Sequence, residues 1–129
     1  MTRRDYDPAT APPDDRPAAK VKAFDTTGPR AWRGSLAGEA IGSANTILAY
    51  ATDTVGEGPR LHVHPYDESF VVIMGHARFF VGDEVIEAAA GDVLLAPAGQ
   101  PHRFENAGPG RLQTIDIHHS PRWIQTDLD

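Results

Sequence analysis

The sequence predicts a small antiparallel β-barrel, and three observations support this fold class. Strand-length apolar segments follow one another from about residue 45 to residue 118, with turn residues between them at close intervals, which is typical of all-β barrels and sandwiches. No long amphipathic helix and no internal repeat interrupts this pattern. The chain has 129 residues, of which 40% are hydrophobic, which is enough for one core of modest size.

Residues 1–20 are predicted to form a flexible tail that precedes a single folded domain of residues 21–129. Four of the eleven prolines fall in this tail, among aspartate, arginine and alanine residues. A segment of this composition buries little apolar surface. The alternative is a lid over a pocket or an arm that is exchanged with a partner.

The predicted strands are separated by recognisable turns. Residues 45–54 (NTILAYATDT) form a β-rich segment, and residues 111–118 form the last long strand. Gly82 and Asp83 separate two short strands and suit a two-residue hairpin of the primed type. Ser120 and Pro121 have the residue types of a helix N-cap and first helical position, so a short helix is expected there.

Composition excludes several classes of protein. The chain has no cysteine, so it has neither disulfides nor thiolate ligands. A net charge of −6 argues against a nucleic-acid or anionic-membrane partner. No apolar run approaches the roughly 18 residues of a membrane span, and no such segment follows the early arginines as in a secretory signal. A cytoplasmic protein is therefore expected.

The segment from Gly56 to Gly75 contains the first candidate metal ligands. In an extended strand, alternate side chains share a face, so His62, His64 and Glu68 point the same way. Two imidazoles and one carboxylate form part of a site for a divalent first-row metal.

The segment from Gly91 to Asn106 adds a third histidine, His102, after a turn that contains Pro97 and Gly99. A metal-free polar cluster is the alternative, but burying three histidines and a glutamate without a metal carries a large desolvation cost. Four protein ligands on an octahedral ion leave two positions open for substrate, water or dioxygen.

These two segments resemble the two motifs of the cupin superfamily, G-x5-H-x-H-x3,4-E-x6-G and G-x5-P-x-G-x2-H-x3-N. The resemblance implies a double-stranded β-helix, or jelly-roll, barrel, and a homodimer. It also implies metal ligation by His62, His64, Glu68 and His102. All ten signature positions are filled: Gly56, His62, His64, Glu68, Gly75, Gly91, Pro97, Gly99, His102 and Asn106.

The cofactor expected from the resemblance is one divalent transition metal: Fe, Mn, Ni, Zn, Co or Cu, with Fe or Zn favoured. In cupins, Fe(II) is common in dioxygenases, Mn(II) in oxalate-type enzymes, and Zn(II) in isomerases and polyketide cyclases. The ligand types do not distinguish among these metals.

Two further residues are candidate catalytic groups. Arg60 has the same strand parity as His62 and can clamp a substrate carboxylate, although a solvated arginine at the barrel rim is an equal alternative. Tyr66 lies between the ligands and can act as an acid or base, although loop tyrosines often only pack. Phe104 shares the parity of His102 and is expected to form an apolar wall of the pocket.

The last strand has two faces, and only one can line the barrel. One face holds Gln113, Ile115, Ile117 and His119, and the other holds Thr114, Asp116 and His118. We expect the apolar face inside, since core faces are usually apolar. If the polar face is inside instead, Asp116 and His118 become candidate acid–base residues.

Three classes of function follow. The leading hypothesis is a metal-dependent oxygenase acting on a small organic molecule. The second is a non-oxidative metalloenzyme, such as an isomerase, decarboxylase or polyketide cyclase. The third is a non-enzymatic ligand-binding or sensor protein, although no DNA-binding domain is visible in the sequence.

Overall fold

Ten short strands form most of the regular structure in residues 2–129, which the computed structural model describes. Short 3₁₀ turns also occur at Pro8–Thr10 and Gly38–Ala40. The strands are β1 (Gly34–Leu36), β2 (Thr46–Thr52), β3 (His62–Val63), β4 (Glu68–Met74), β5 (His76–Val81), β6 (Glu84–Ala89), β7 (Val93–Ala96), β8 (His102–Asn106), β9 (Leu112–His118) and β10 (Thr126–Asp127).

The strands form two five-stranded sheets, with the orders β1-β2-β9-β4-β7 and β10-β3-β8-β5-β6. All strand pairs in the described chain are antiparallel. The sheets pack face to face, and Phe70 of one meets Phe79 and Phe104 of the other at ring-centroid distances of 5.0 and 5.8 Å. The predicted all-β class is confirmed. None of the described helices has the length and apolar character that a transmembrane span requires.

The local turn predictions had mixed outcomes. Gly82 and Asp83 do connect β5 to β6, and Gly82 has a φ of +56°. The short helix expected at Ser120 and Pro121 is wrong. The Ser120 hydroxyl does accept a hydrogen bond from the Arg122 amide, but the chain then extends into β10, which pairs with β3.

The expectation that the apolar face of the last strand lies inside is also wrong. Thr114, Asp116 and His118 of β9 are buried, whereas Ile115 and Ile117 are only partly buried on the opposite face. The reason is positional: β9 lies between β2 and β4 at the centre of its sheet, and its inner face lies opposite a cluster of polar side chains.

The N-terminal segment is exposed throughout residues 2–22. It contacts the domain where the Arg16 guanidinium donates to the backbone oxygen of Gly42 over 2.8 Å. Its flexibility stays a prediction.

Two turn glycines with positive φ provide a test of this architecture. Gly75 (φ +85°) joins β4 to β5, and an added Cβ would overlap the backbone oxygen of Arg111; at Gly91 (φ +96°) an added Cβ meets open space. Gly91→Ala should cost only the left-handed backbone strain, about 1 kcal/mol of unfolding free energy. Gly75→Ala adds a clash with backbone and should cost about 3 kcal/mol or more. Urea unfolding measures the unfolding free energy of both variants. Equal losses would contradict the close approach of Gly75 to the backbone of Arg111.

Candidate metal centre

The four candidate ligands converge between the two sheets. His62 on β3 and His102 on β8 are paired neighbours in one sheet, and Glu68 begins β4 in the other. His64 follows the short strand β3 and points to the same place. All four side chains are buried, so the structure brings together the residues that the sequence motifs predicted.

The spacing of the ligand atoms suits a single ion. One oxygen of Glu68, Oε1, lies 3.0 Å from Nε2 of His64 and 3.1 Å from Nε2 of His102. All four ligand atoms lie within 4.8 Å of one another. Ligand atoms held about 2.1 Å from one ion are about 3–4 Å apart, so the spacing of these side chains is compatible with a single ion.

Backbone carbonyls fix the orientation of all three histidines. Nδ1 of His62 donates to the Arg60 oxygen over 2.5 Å. Nδ1 of His64 donates to the Ile124 oxygen over 2.8 Å, and Nδ1 of His102 to the Gln100 oxygen over 3.0 Å. A carbonyl can only accept, so each Nδ1 carries the proton. Nε2 of each ring is therefore the nitrogen that faces the cluster and is free to bind a metal when it gives up its proton.

The protonation tendencies of the cluster agree with this role. Burial would raise the pKa of Glu68, but the imidazoles of His102, His118 and His64 outweigh it and hold that pKa below its usual range. Burial lowers the pKa of His62, and the neighbouring His102 and His64 lower it further. Nε2 of His64 is buried and faces Oε1 of Glu68 at 3.0 Å. An ionised carboxylate beside three imidazoles forms a donor set that fits a divalent metal.

A hydrogen-bonded chain behind Glu68 supports the cluster. The Ile124 amide donates to the Tyr66 hydroxyl over 3.1 Å, which leaves the Tyr66 proton to donate to Nδ1 of His118 over 2.7 Å. Nε2 of His118 then lies 3.2 Å from Oε2 of Glu68, the oxygen that faces away from His64 and His102. Burial raises the pKa of Tyr66, which keeps it a phenol and therefore a donor.

This arrangement changes the roles expected for two residues. Tyr66 was a candidate acid or base, but the structure places its hydroxyl behind Glu68, where it orients His118. From the sequence, His118 was a candidate acid–base residue only if the polar face of the last strand lies inside. The alternation of β9 indicates that His118 faces inward, because it has the same parity as the buried Leu112 and Thr114.

A cavity of about 290 Å³ opens beside the cluster. His62 and Glu68 line it, together with Asp116 of β9. Phe70 and Phe104 form apolar walls, so Phe104 lies where it was predicted. Tyr50, Arg33, Arg30 and Trp123 are also among the lining residues.

Arg60 does not line this cavity. Its side chain is exposed and donates to the backbone oxygen of Asp129 over 3.3 Å. Strand parity does not apply here because β3 begins only at His62 and the chain bends at Leu61. The structure therefore does not bring Arg60 to the predicted clamp position, and the arginines at the cavity are Arg30 and Arg33.

Comparison with known proteins agrees with this geometry. The sequence model of the Cupin domain family matches residues 49–118, which include all four candidate ligands. The polyketide synthase CurC of Streptomyces cyaneus is 30% identical over 82 residues, covering 63% of this chain and 53% of CurC. Acireductone dioxygenase of Geobacillus kaustophilus is 31% identical over 72 residues, covering 50% of this chain and 40% of the enzyme. The chain thus spans about half or less of these two relatives.

Solved structures show the same fold. A Klebsiella pneumoniae protein with a double-stranded β-helix domain matches with a TM-score of 0.61 at 24% identity, over 67% of this chain and 76% of that one. Oxalate decarboxylase of Bacillus subtilis, described with Mn(II) centres, matches with a TM-score of 0.61 at 25% identity, over 66% of this chain and 24% of the enzyme. The chain therefore folds as a double-stranded β-helix.

The hydrogen bonds that connect Tyr66 to Glu68 through His118 can be tested by measuring metal affinity. Tyr66→Phe removes the hydroxyl that orients His118, so Glu68 loses its fixed position and metal affinity should fall about tenfold. Competition with a chromophoric chelator measures this affinity. The matched control is Tyr6→Phe, at a fully exposed tyrosine outside the domain core, and it should leave affinity unchanged. Unchanged metal affinity in Tyr66→Phe would show that the hydrogen bonds from Tyr66 through His118 to Glu68 do not support the metal site.

Proposed function

This chain belongs to the cupin family, and on that premise we propose that it is a metal-dependent enzyme that acts on a small organic molecule, with oxygenase as the leading activity. The proposed metal ligands are His62, His64, Glu68 and His102. The observation that carries the proposal is that two of them, His62 and Glu68, also line the cavity. A molecule in that cavity would therefore contact two of the residues that would hold the metal.

The chain's own residues supply the conditions for chemistry at this site. A bound metal supplies Lewis acidity and, if it is iron, a route for electrons between substrate and dioxygen. His118 and Tyr66 hold Glu68 in place behind the site. Phe70 and Phe104 provide a dry, apolar wall, which strengthens electrostatic interactions beside it.

Two considerations favour an oxygenase. The ligand set of neutral imidazoles and one carboxylate suits Fe(II) chemistry with open coordination positions. In addition, one relative is named acireductone dioxygenase, although it shares only half of this chain. The metal is proposed to be iron, with zinc and manganese as the alternatives.

A non-oxidative reaction is the second candidate, and one observation favours it. Asp116 is a buried acid in the same cavity as His62 and Glu68. Proton transfer by a positioned acid is what an isomerase, decarboxylase or cyclase needs besides a Lewis acid. The relatives named polyketide synthase CurC and oxalate decarboxylase agree with such chemistry.

Neither the homodimer nor the cytoplasmic location is tested by these observations, and both stay predictions. The same applies to the sensor alternative, which requires a ligand that binds without being converted.

Oxygen consumption separates the two catalytic classes. Iron-reconstituted protein, offered small enols and aromatic hydroxy compounds, should consume dioxygen in step with substrate loss, and substrate loss should stop under argon. His62→Ala should lose at least about 100-fold in rate, because a metal ligand facing the cavity is gone. His76→Ala, at an exposed histidine that begins β5, is the matched control.

Each other outcome has a defined meaning. Equal substrate loss with and without dioxygen would contradict the oxygenase and favour the non-oxidative enzyme. Ligand binding without conversion of any compound would favour the sensor.

A further inference from the structure

The cavity contains one buried acid, Asp116, that is not among the four candidate metal ligands. Asp116 is 4% exposed and lines the cavity with His62 and Glu68. On β9 it is one inward-facing position from His118, and across the sheet it pairs with Leu48 of β2 and Phe70 of β4. Its Oδ1 atom has no hydrogen-bond partner in residues 2–129. Buried polar groups are nearly always paired, so this oxygen requires an explanation.

The arginines at the cavity do not provide one. The side chain of Arg33 is exposed, lies over the ring of Tyr50 at 5.3 Å, and reaches Glu57 at 3.4 Å. Arg30 is likewise exposed. No salt bridge within residues 2–129 includes Asp116. A structural ion pair is therefore not the reason for an acid at this position.

The environment of Asp116 favours the carboxylic acid over the carboxylate. Burial raises the pKa of Asp116 well above its usual range and the charge of Glu68 raises it further, against a smaller lowering by the Thr114 hydroxyl. An uncharged carboxyl retains one O–H donor. Such a group in a ligand cavity resembles other buried acids that are kept protonated so that they can donate to a substrate oxygen.

The walls of the cavity indicate the rest of the ligand. Phe70, Phe104, Tyr50 and Leu48 give it largely apolar and aromatic sides. Its volume of about 290 Å³ is roughly twice the ~150 Å³ of a cavity that holds benzene. The cavity therefore suits a small planar molecule of about one to two rings.

We propose that Asp116 is a substrate-binding residue whose carboxyl donates a hydrogen bond to a carbonyl oxygen of a small planar, largely apolar substrate. This inference rests on the proposed function, because it places the substrate in the cavity beside the metal ligands. It names the substrate class as conjugated or aromatic carbonyl compounds. It involves binding only and requires no bond to form or break.

A pair of probes of nearly the same shape tests this. Acetophenone carries the carbonyl oxygen, and α-methylstyrene has a CH₂ group in its place. Binding is followed by the fluorescence of Trp123, which lines the cavity; a Trp32→Phe background makes it the one tryptophan of the chain. The protein should bind acetophenone about three- to tenfold more tightly, the value of one net hydrogen bond.

Variants at Asp116 identify the donor. Asp116→Ala should abolish the preference for acetophenone, whereas Asp116→Asn, which keeps an N–H donor, should retain it. Asp83→Asn, at the exposed β5–β6 turn, is the matched control and should change nothing. No preference in the parent protein, or a preference that survives Asp116→Ala, would overturn the proposal.

Running the titration with metal-free and zinc-loaded protein keeps the two proposals separate. Failure to bind zinc would contradict the metal site, while the effect of Asp116 on the probe pair could still be read in the metal-free protein. A preference that appears only with zinc present and survives Asp116→Ala would assign the carbonyl to the metal and overturn the role of Asp116.

Thermal unfolding distinguishes a binding role from a structural one. If Asp116 is kept for substrate, its unsatisfied oxygen costs stability, so Asp116→Asn should leave the melting temperature unchanged or raise it. A clear fall in melting temperature for Asp116→Asn, with the probe preference lost as well, would mark Asp116 as structural.

Discussion

The candidate metal site depends on three hydrogen bonds from imidazole Nδ1 atoms to backbone carbonyls. The carbonyls of Arg60, Ile124 and Gln100 each fix the tautomer and the ring orientation of one histidine. All three come from chain outside the regular strands, where a carbonyl is free to accept from a side chain. The barrel therefore contributes more than ligand positions: its loops determine which nitrogen of each ring faces the cluster.

Two buried carboxyl groups in one cavity have opposite protonation tendencies, and the contrast has a local cause. Glu68 has imidazoles within hydrogen-bonding distance on both of its oxygens, which favours its ionised form. Asp116, one pleat away, has apolar neighbours across the sheet and Glu68 as its nearby charge, which favours its neutral form. Two acids with pKa values shifted in opposite directions are a frequent basis for division of labour in active sites. Here one acid is suited to hold a metal and the other to hold a proton.

The convergence of the four candidate ligands could be predicted from the sequence because its signal is local. His62, His64 and Glu68 lie within seven residues, and the spacing to His102 is set by short strands and tight turns. Prediction from the sequence failed where the answer depends on tertiary context. The inner face of β9 is polar because it lies beside the cluster of candidate ligands, and no rule based on an apolar core predicts that. Likewise, Arg60 was placed by assuming an extended strand that begins only at His62.

The metal content of the untagged protein, expressed in metal-balanced medium beside His102→Ala, tests the metal site most directly. The parent protein should contain close to one divalent transition metal per chain, and the variant should lose most of it. The same preparation of His119→Ala, at an exposed histidine one residue beyond β9, should keep its metal. Absence of metal from the parent protein, or equal metal in parent and His102→Ala, would show that these four side chains do not form a metal centre.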